Sequence, residues 1–291
     1  MQSGYFATVW GDIKNSPGWF SKFVRLSLVF LVPVFGLLVA LGYSYGWARD
    51  IAWNVHRPLP QKIFGNEDGR LYSRGFFLLV LSFVFSLVPW TVCWFVGFTS
   101  GASYTATGLL AGPFASGFDA LIGLASFALS VGPFLFATLF VYVGAMRTSI
   151  YGNLSAGFQI EKIWSMIRYD LAGLFRVLGM SLLLVLVSSV VLVALIVVFS
   201  LLFSLGITLL IVTFGSDTVS AWSVGAIIVG IFLFVLYMVA IAFSIAFAEV
   251  FAIVFVARAL GYWTRQFRVD QWGGQDDPMP FEYLSNEKPL G

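Results

Sequence analysis

Glu249 is the side chain whose position most invites a chemical role. It lies in an apolar run nine positions before Arg258, which at helical rise puts its carboxyl about 13 Å into a membrane, near the middle of the bilayer. An ionisable group at that depth is costly unless protonated or paired, and such groups often mark ion or proton paths. Two readings stand side by side. Glu249 is the coupling or substrate site of a small transporter or channel, or it is a structural carboxyl held between helices by Ser181, Ser188 or Ser189. Ala240, Ser244, Ala248 and Ala252 form a small-residue stripe at four-residue spacing, which lets a second helix approach closely. Elsewhere the chemistry thins out. His56 is the single histidine, with no Cys or His cluster beside it, so a metal site is not expected and His56 reads as an interfacial residue. Cys93 is the single cysteine, has no partner for an intrachain disulfide, and reads as a small buried hydrophobe. There is no phosphate-binding glycine loop, and the Ser and Thr hydroxyls lack a base. The expectation is a protein that is not an enzyme and needs no cofactor.

The elements that would position Glu249 are membrane helices. Of the 291 residues, 59% are hydrophobic and 10% charged, and mean hydropathy is +0.93. A soluble domain could not cover that much apolar surface. The net charge of +2 gives no reason to expect nucleic acid, and the balance points to lipid headgroups. Met1 to Phe20 carries Asp12, Asn15 and Pro17 where a signal peptide needs an unbroken apolar core, so no cleaved leader is expected.

The sixteen Lys and Arg residues fall into four clusters: Lys14 to Arg25, Arg49 to Arg74, Arg147 to Arg176, and Arg258 to Lys288. Basic residues flanking short membrane loops stay cytoplasmic, so each charge-poor gap between clusters leaves and returns on one side. The second gap holds two spans, Gly75 to Phe98 and Asp119 to Met146, joined by an outer loop, Thr99 to Phe118. The third, Val177 to Ala257, divides at Gly215-Ser216-Asp217 into runs longer than a spanning helix needs, which must tilt, break or project. Asp119 and Asp217 are expected on the outer side. In the first gap, Leu26 to Ala48, length asks for one span and charge for an even number. Pro33 and Gly36 favour a short re-entrant hairpin; the rival is a full span with the N-terminus outside. The fold expected is all-α and polytopic, with four full transmembrane helices in two hairpins plus an N-terminal re-entrant hairpin, the alternative being five full spans. Pro89 and Pro133 either break their helices, as in transporters, or only kink them.

An internal repeat supports the hairpin. Trp10, Ile13, Lys14, Lys22, Ser27 and Leu28 align at one offset with Trp164, Ile167, Arg168, Arg176, Ser181 and Leu182. Arg49, Arg147 and Arg258 each close an apolar run and precede an aromatic by four residues: Trp53, Tyr151 and Tyr262. These pairs share a helix face and are expected to anchor at the interface, the basic heads snorkelling to phosphates and the rings lying at headgroup level. Ile163, Trp164 and Ile167, with Arg168 on the other face, describe an amphipathic helix lying in the interface. Phe6, Val9, Trp10 and Ile13 make a shorter version, and Ser16-Pro17 reads as the cap and first turn of the next helix. Residues 1–268 form a single helical membrane domain, followed by a polar, turn-rich tail over 269–291 that is expected to be disordered and cytoplasmic.

Gly42-Tyr43 through Ala48-Arg49, then Arg57-Pro58-Leu59-Pro60, then Tyr72 to Gly75 leading into a span, resemble the prokaryotic membrane proteins called domain of unknown function 4013. The likeness covers Trp19 to about Val198 and departs at Gln61-Lys62, where an acidic or aromatic residue is the expectation. It implies a multi-pass protein of a bacterial or archaeal plasma membrane and brings no catalytic or binding residues with it. The function expected is a non-enzymatic accessory, scaffold or lipid-interacting component. Its partners would be the lipid bilayer and a membrane protein or a second copy of the chain, with both termini cytoplasmic.

Overall fold

The computed structural model describes residues 4–65, 68–110, 115–214 and 224–282, and their side chains outside 101–120, 210–211 and 213–227. Its regular structure is helical throughout, with no strand among the described residues. In chain order the helices are α1 (Tyr5–Lys14), α2 (Trp19–Phe30), α3 (Phe35–Ala52), α4 (Leu71–Leu110), α5 (Ala115–Tyr151), α6 (Ile160–Tyr169), α7 (Leu171–Phe214) and α8 (Val224–Arg265). Four of them, α4, α5, α7 and α8, are long and apolar enough to cross a membrane.

The first gap is a helical hairpin. α2 stops after 12 residues, the chain turns through Leu31 to Val34, and α3 returns for 18. Pro33 sits in the turn, Val34 adopts a left-handed φ of 62°, and a side chain at Gly36 would strike the backbone of Val29 and Phe30. Only a glycine there lets α3 start against the end of α2. Both ends of the hairpin lie together: Leu59, just beyond α3, donates its N–H to Ser16 Oγ at 2.8 Å and accepts Lys22 Nζ at 2.7 Å. A single through-span would part these groups by about 30 Å, so the five-span alternative fails. The tip is apolar and exposed at Val32, Val34 and Phe35. Ser16 does not cap α2. Its hydroxyl turns back to the Asp12 carbonyl at 2.7 Å.

The other two hairpins are longer than expected. α4 runs 40 residues and α5 runs 37, so of the segment Thr99 to Phe118, expected as a loop, residues 99–110 and 115–118 are helix. Pro89 and Pro133 lie inside these helices without ending them. α7 has 44 residues, about 66 Å of helix against a hydrocarbon core of about 30 Å. α7 and α8 therefore tilt or project and do not break. The division at Gly215-Ser216-Asp217, with Asp217, lies outside the described residues, as does the Asp119 side chain.

α3 is the hub. It packs on α4 on one side and on α8 on the other, while α4–α5 and α7–α8 meet each other mainly through α5 and α8. Backbones come close where side chains are small: a Cβ at Gly42 would collide with the Leu71 carbonyl, one at Gly75 with that of Leu38, and one at Gly261 with that of Ala48. Beyond this base the hairpins diverge and expose apolar faces such as Leu183, Leu186 and Val190 on α7 and Ile231, Val235 and Val239 on α8.

The described residues of the four basic clusters converge on one end of the molecule, joined by contacts between clusters. Arg258 pairs with Asp12 at 2.7 Å, Arg49 with Asp68 at 2.6 Å, and Lys162 with Glu282 at 3.2 Å. The last of these corrects the tail. Residues 269–282, expected to be disordered, pack onto this end: Val269 and Met279 are buried, and Trp272 stacks on Tyr151 at 5.7 Å. Apolar residues hidden among the turn-formers drive that docking.

Candidate functional site

The residues that carry the family likeness fold into one polar cavity at the basic end. α3 supplies Gly42, Tyr43, Gly46 and Arg49, α4 supplies Arg74, and the segment between them supplies Arg57, Pro60 and Asp68, around about 150 Å³. The loop Arg57-Pro58-Leu59-Pro60 is strapped down by side chains from α2, α3 and the turn between α1 and α2. Trp47 Nε1 donates to the Arg57 carbonyl at 2.9 Å, Tyr43 Oη to that of Pro60 at 2.9 Å, and Lys22 Nζ to that of Leu59. The two prolines lack N–H groups, and the Leu59 N–H is taken by Ser16, so the loop's backbone polar groups are largely accounted for within the protein. The Leu59 side chain is buried beneath it.

Within the cavity the charges are unequally satisfied. Arg74, whose side chain is 4% exposed, pairs with Asp68 and donates through Nη1 to the Gly42 carbonyl at 3.3 Å. A Cβ at Gly46 would occupy the space of its guanidinium, so that glycine makes room for it. Its Nε is buried without an acceptor. Arg49 bridges Asp68 and Asp50, the latter at 3.3 Å. Burial alone would raise the Asp68 carboxyl, but hydrogen bonds and charge from Arg74, the Arg70 N–H and Arg49 outweigh it and hold Asp68 down at about 2. Arg57 differs from both: its side chain is 63% exposed and only 4.0 Å from Asp50. Its backbone is fixed while its guanidinium reaches into the cavity mouth.

The three predicted anchors separate into two kinds. Arg147 and Arg258 share a face with Tyr151 and Tyr262, at 5.3 Å and 5.4 Å from ring centroids, but they do not snorkel to phosphates. Arg147 is 0% exposed and Arg258 1%. Arg147 donates to the carbonyls of Ala156 and Gln275, both at 3.1 Å, and to the Gln159 side chain. Arg258 is chelated by Asp12, donates to the Trp47 carbonyl at 2.9 Å, and lies 4.1 Å from the Trp47 ring centroid, while Tyr262 Oη donates to Asp12 at 2.7 Å. Buried charges need such partners; these arginines tie the helix ends together. Arg49 is partly exposed and turned to its aspartates, and Trp53 projects outward.

α6 forms over the expected residues, yet its apolar stripe serves the protein. Ile163 and Ile167 are buried, Trp164 stacks on Phe140 at 6.1 Å, and Arg168 covers Trp164 at 5.6 Å. Asp170 breaks the periodic run and starts α7, its carboxylate accepting the Gly173 N–H at 2.9 Å.

Glu249 is exposed on the outer face of α8. Ser181, Ser188 and Ser189 bond within their own helix to the carbonyls of Leu178, Leu184 and Val185, so none of them holds the carboxyl. Two apolar grooves flank α8. One, of about 420 Å³, lies between α2, α7 and α8 and is lined by Ser244, Ala248 and Ala252 of the small-residue stripe; the other, of about 440 Å³, lies among α3, α5, α7 and α8. Glu249 lines neither. Cys93 is half-buried, and His56 is exposed, its Nε2 3.4 Å from an Arg265 nitrogen.

Arg57, Asp68 and Arg74 were missed as a site by reading the sequence. The available signal was that the second cluster holds the most basic residues, encloses two aspartates, and coincides with the motifs of the family likeness. Neither a curated protein nor a solved structure matches the chain. Residues 25–197, more than half of its length and including every residue of the polar cavity, match the family described as protein of unknown function (DUF4013), and the chain belongs to that family.

Proposed function

We propose that the protein is a non-enzymatic, multi-pass component of a bacterial or archaeal plasma membrane, with its basic end and both termini cytoplasmic, that works by holding lipid. The observation that carries this reading is the pair of grooves. α3 keeps the long hairpins apart, leaving the cleft of about 440 Å³ walled by Leu41, Tyr45, Phe134, Leu178 and Ile253 and the one of about 420 Å³ walled by Phe20, Val24, Val191 and Phe247. Both are open along apolar helices, where acyl chains are the matching occupants. Transport through Glu249 requires a polar path to that carboxyl, and the grooves beside α8 are almost wholly apolar.

Ala252 lines both grooves, so Ala252→Trp fills both at once. In mild detergent the wild type is expected to retain phospholipid by native mass spectrometry, and the variant to retain less at unchanged monodispersity. Equal retention, or none in the wild type, refutes the reading. Sidedness reporters at Ala111 and at the C-terminus are expected in opposite compartments.

A further inference from the structure

The cavity between α3 and α4 is more elaborate than helix packing requires. Among the described residues three arginines face two aspartates, Asp50 and Asp68, leaving one positive charge in excess. Arg74 Nε is a buried donor with no acceptor, although buried donors are almost always paired. Arg57 stands on a loop fixed by Trp47, Tyr43, Lys22 and Ser16, yet among the described residues its guanidinium has no closer acidic partner than Asp50 at 4.0 Å. Rigid support beneath an uncommitted arginine is how a binding residue is preorganised. Arg74 lies one turn into a span that begins at Leu71, so the cavity sits at the membrane boundary, at the level of headgroup phosphates.

We infer that the cavity lined by Arg49, Arg57 and Arg74 binds a phosphate-type oxyanion. Arg57 meets the group at the mouth with its paired N–H donors, and Arg49 and Arg74 set the positive field behind it while remaining tied to Asp68. A monoanionic phosphodiester neutralises the excess charge, and a planar guanidinium matches two of its oxygens. The group belongs either to a phospholipid headgroup or to a soluble phosphate. The inference does not depend on the acyl-chain grooves, which lie along other helix faces and are tested by Ala252→Trp.

The test uses the full chain in a maltoside detergent, which carries no phosphate, titrated separately with inorganic phosphate and with a short-chain phosphatidylglycerol. At least one probe is expected to bind, and Arg57→Gln to weaken that binding about tenfold or more. The unfolding midpoint without probe should be unchanged, because the Arg57 side chain is largely exposed. Arg49→Gln should weaken binding as well. Binding of inorganic phosphate identifies the group as free phosphate, and binding of the lipid alone identifies it as a headgroup. The inference is overturned if neither probe binds the wild type, or if both variants bind as the wild type does.

Discussion

α1–α2–α3 and α6–α7–α8 share one plan and end differently. Each opens with a ten-residue helix that buries equivalent residues, Val9 and Ile13 in one, Ile163 and Ile167 in the other. Each then breaks, at Ser16-Pro17-Gly18 or at Asp170, and continues into an apolar helix whose serine, Ser27 or Ser181, bonds back to its own backbone. The first copy turns after 12 residues and the second continues for 44. Past the turn their roles are inverted. The returning helix of the short copy, α3, is buried between the other hairpins and organises them, while the long copy presents apolar faces outward. A common start thus sets where a hairpin leaves the basic end, and the turn sets how far it goes.

The largest effect should come from attacking the short copy's central role. Gly42→Leu pushes α3 off the Leu71 carbonyl, a backbone that no rotamer can relieve; a loss of more than about 3 kcal/mol is expected, seen as loss of the monodisperse peak. The equivalent change at Gly230, which has nothing within contact range, should leave the protein assembled.

Next come the arginines closing the two copies. Arg258→Met strands Asp12 and should cost about 3 kcal/mol, whereas Arg49→Met, at the partly exposed equivalent, should cost under about 1 kcal/mol, both from unfolding midpoints. Equal losses would mean that the two exits are not distinguished by burial.

A smaller effect is expected from acid. Asp68 titrates near 2 when folded against a usual 3.8, so its pairing stabilises the fold fully above about pH 4 and is lost as pH falls through the folded value. The midpoint should drop between pH 5 and pH 2, and Asp68→Asn should start lower and drop less over that range. The smallest effect belongs to the long copy's outer face. Glu249→Gln should change stability by less than about 0.5 kcal/mol and leave proteoliposome flux at the background of empty vesicles; a flux abolished by the swap would restore the transport reading.

Much of this architecture was legible in the chain. The even return of each charge-poor gap is dictated by the four basic clusters, and contacts such as Asp12–Arg258 join them at one end. Pro33 and Gly36 announced the turn against a length that argued for a single span. Residues 99–110 and 115–118 were misread because small and hydroxylated residues suggest a loop in water, whereas a helix satisfies its own backbone and accepts them. The tail was misread because Val269 and Met279 are too few to register as a periodic face yet enough to dock once a surface exists. The cavity's residues were in view as family motifs, but their convergence was not.

Hydropathy and charge act residue by residue against the bilayer, which is why the chain alone specifies a helical membrane protein, its hairpins and their shared basic end. Orientation around each helix is another matter. Arg258 and Glu249 lie on one helix at knowable depths, but only packing decides that the arginine turns inward to Asp12, far away in the chain, while the glutamate turns outward. Burial of a charge depends on a partner, and the partner is supplied by the fold.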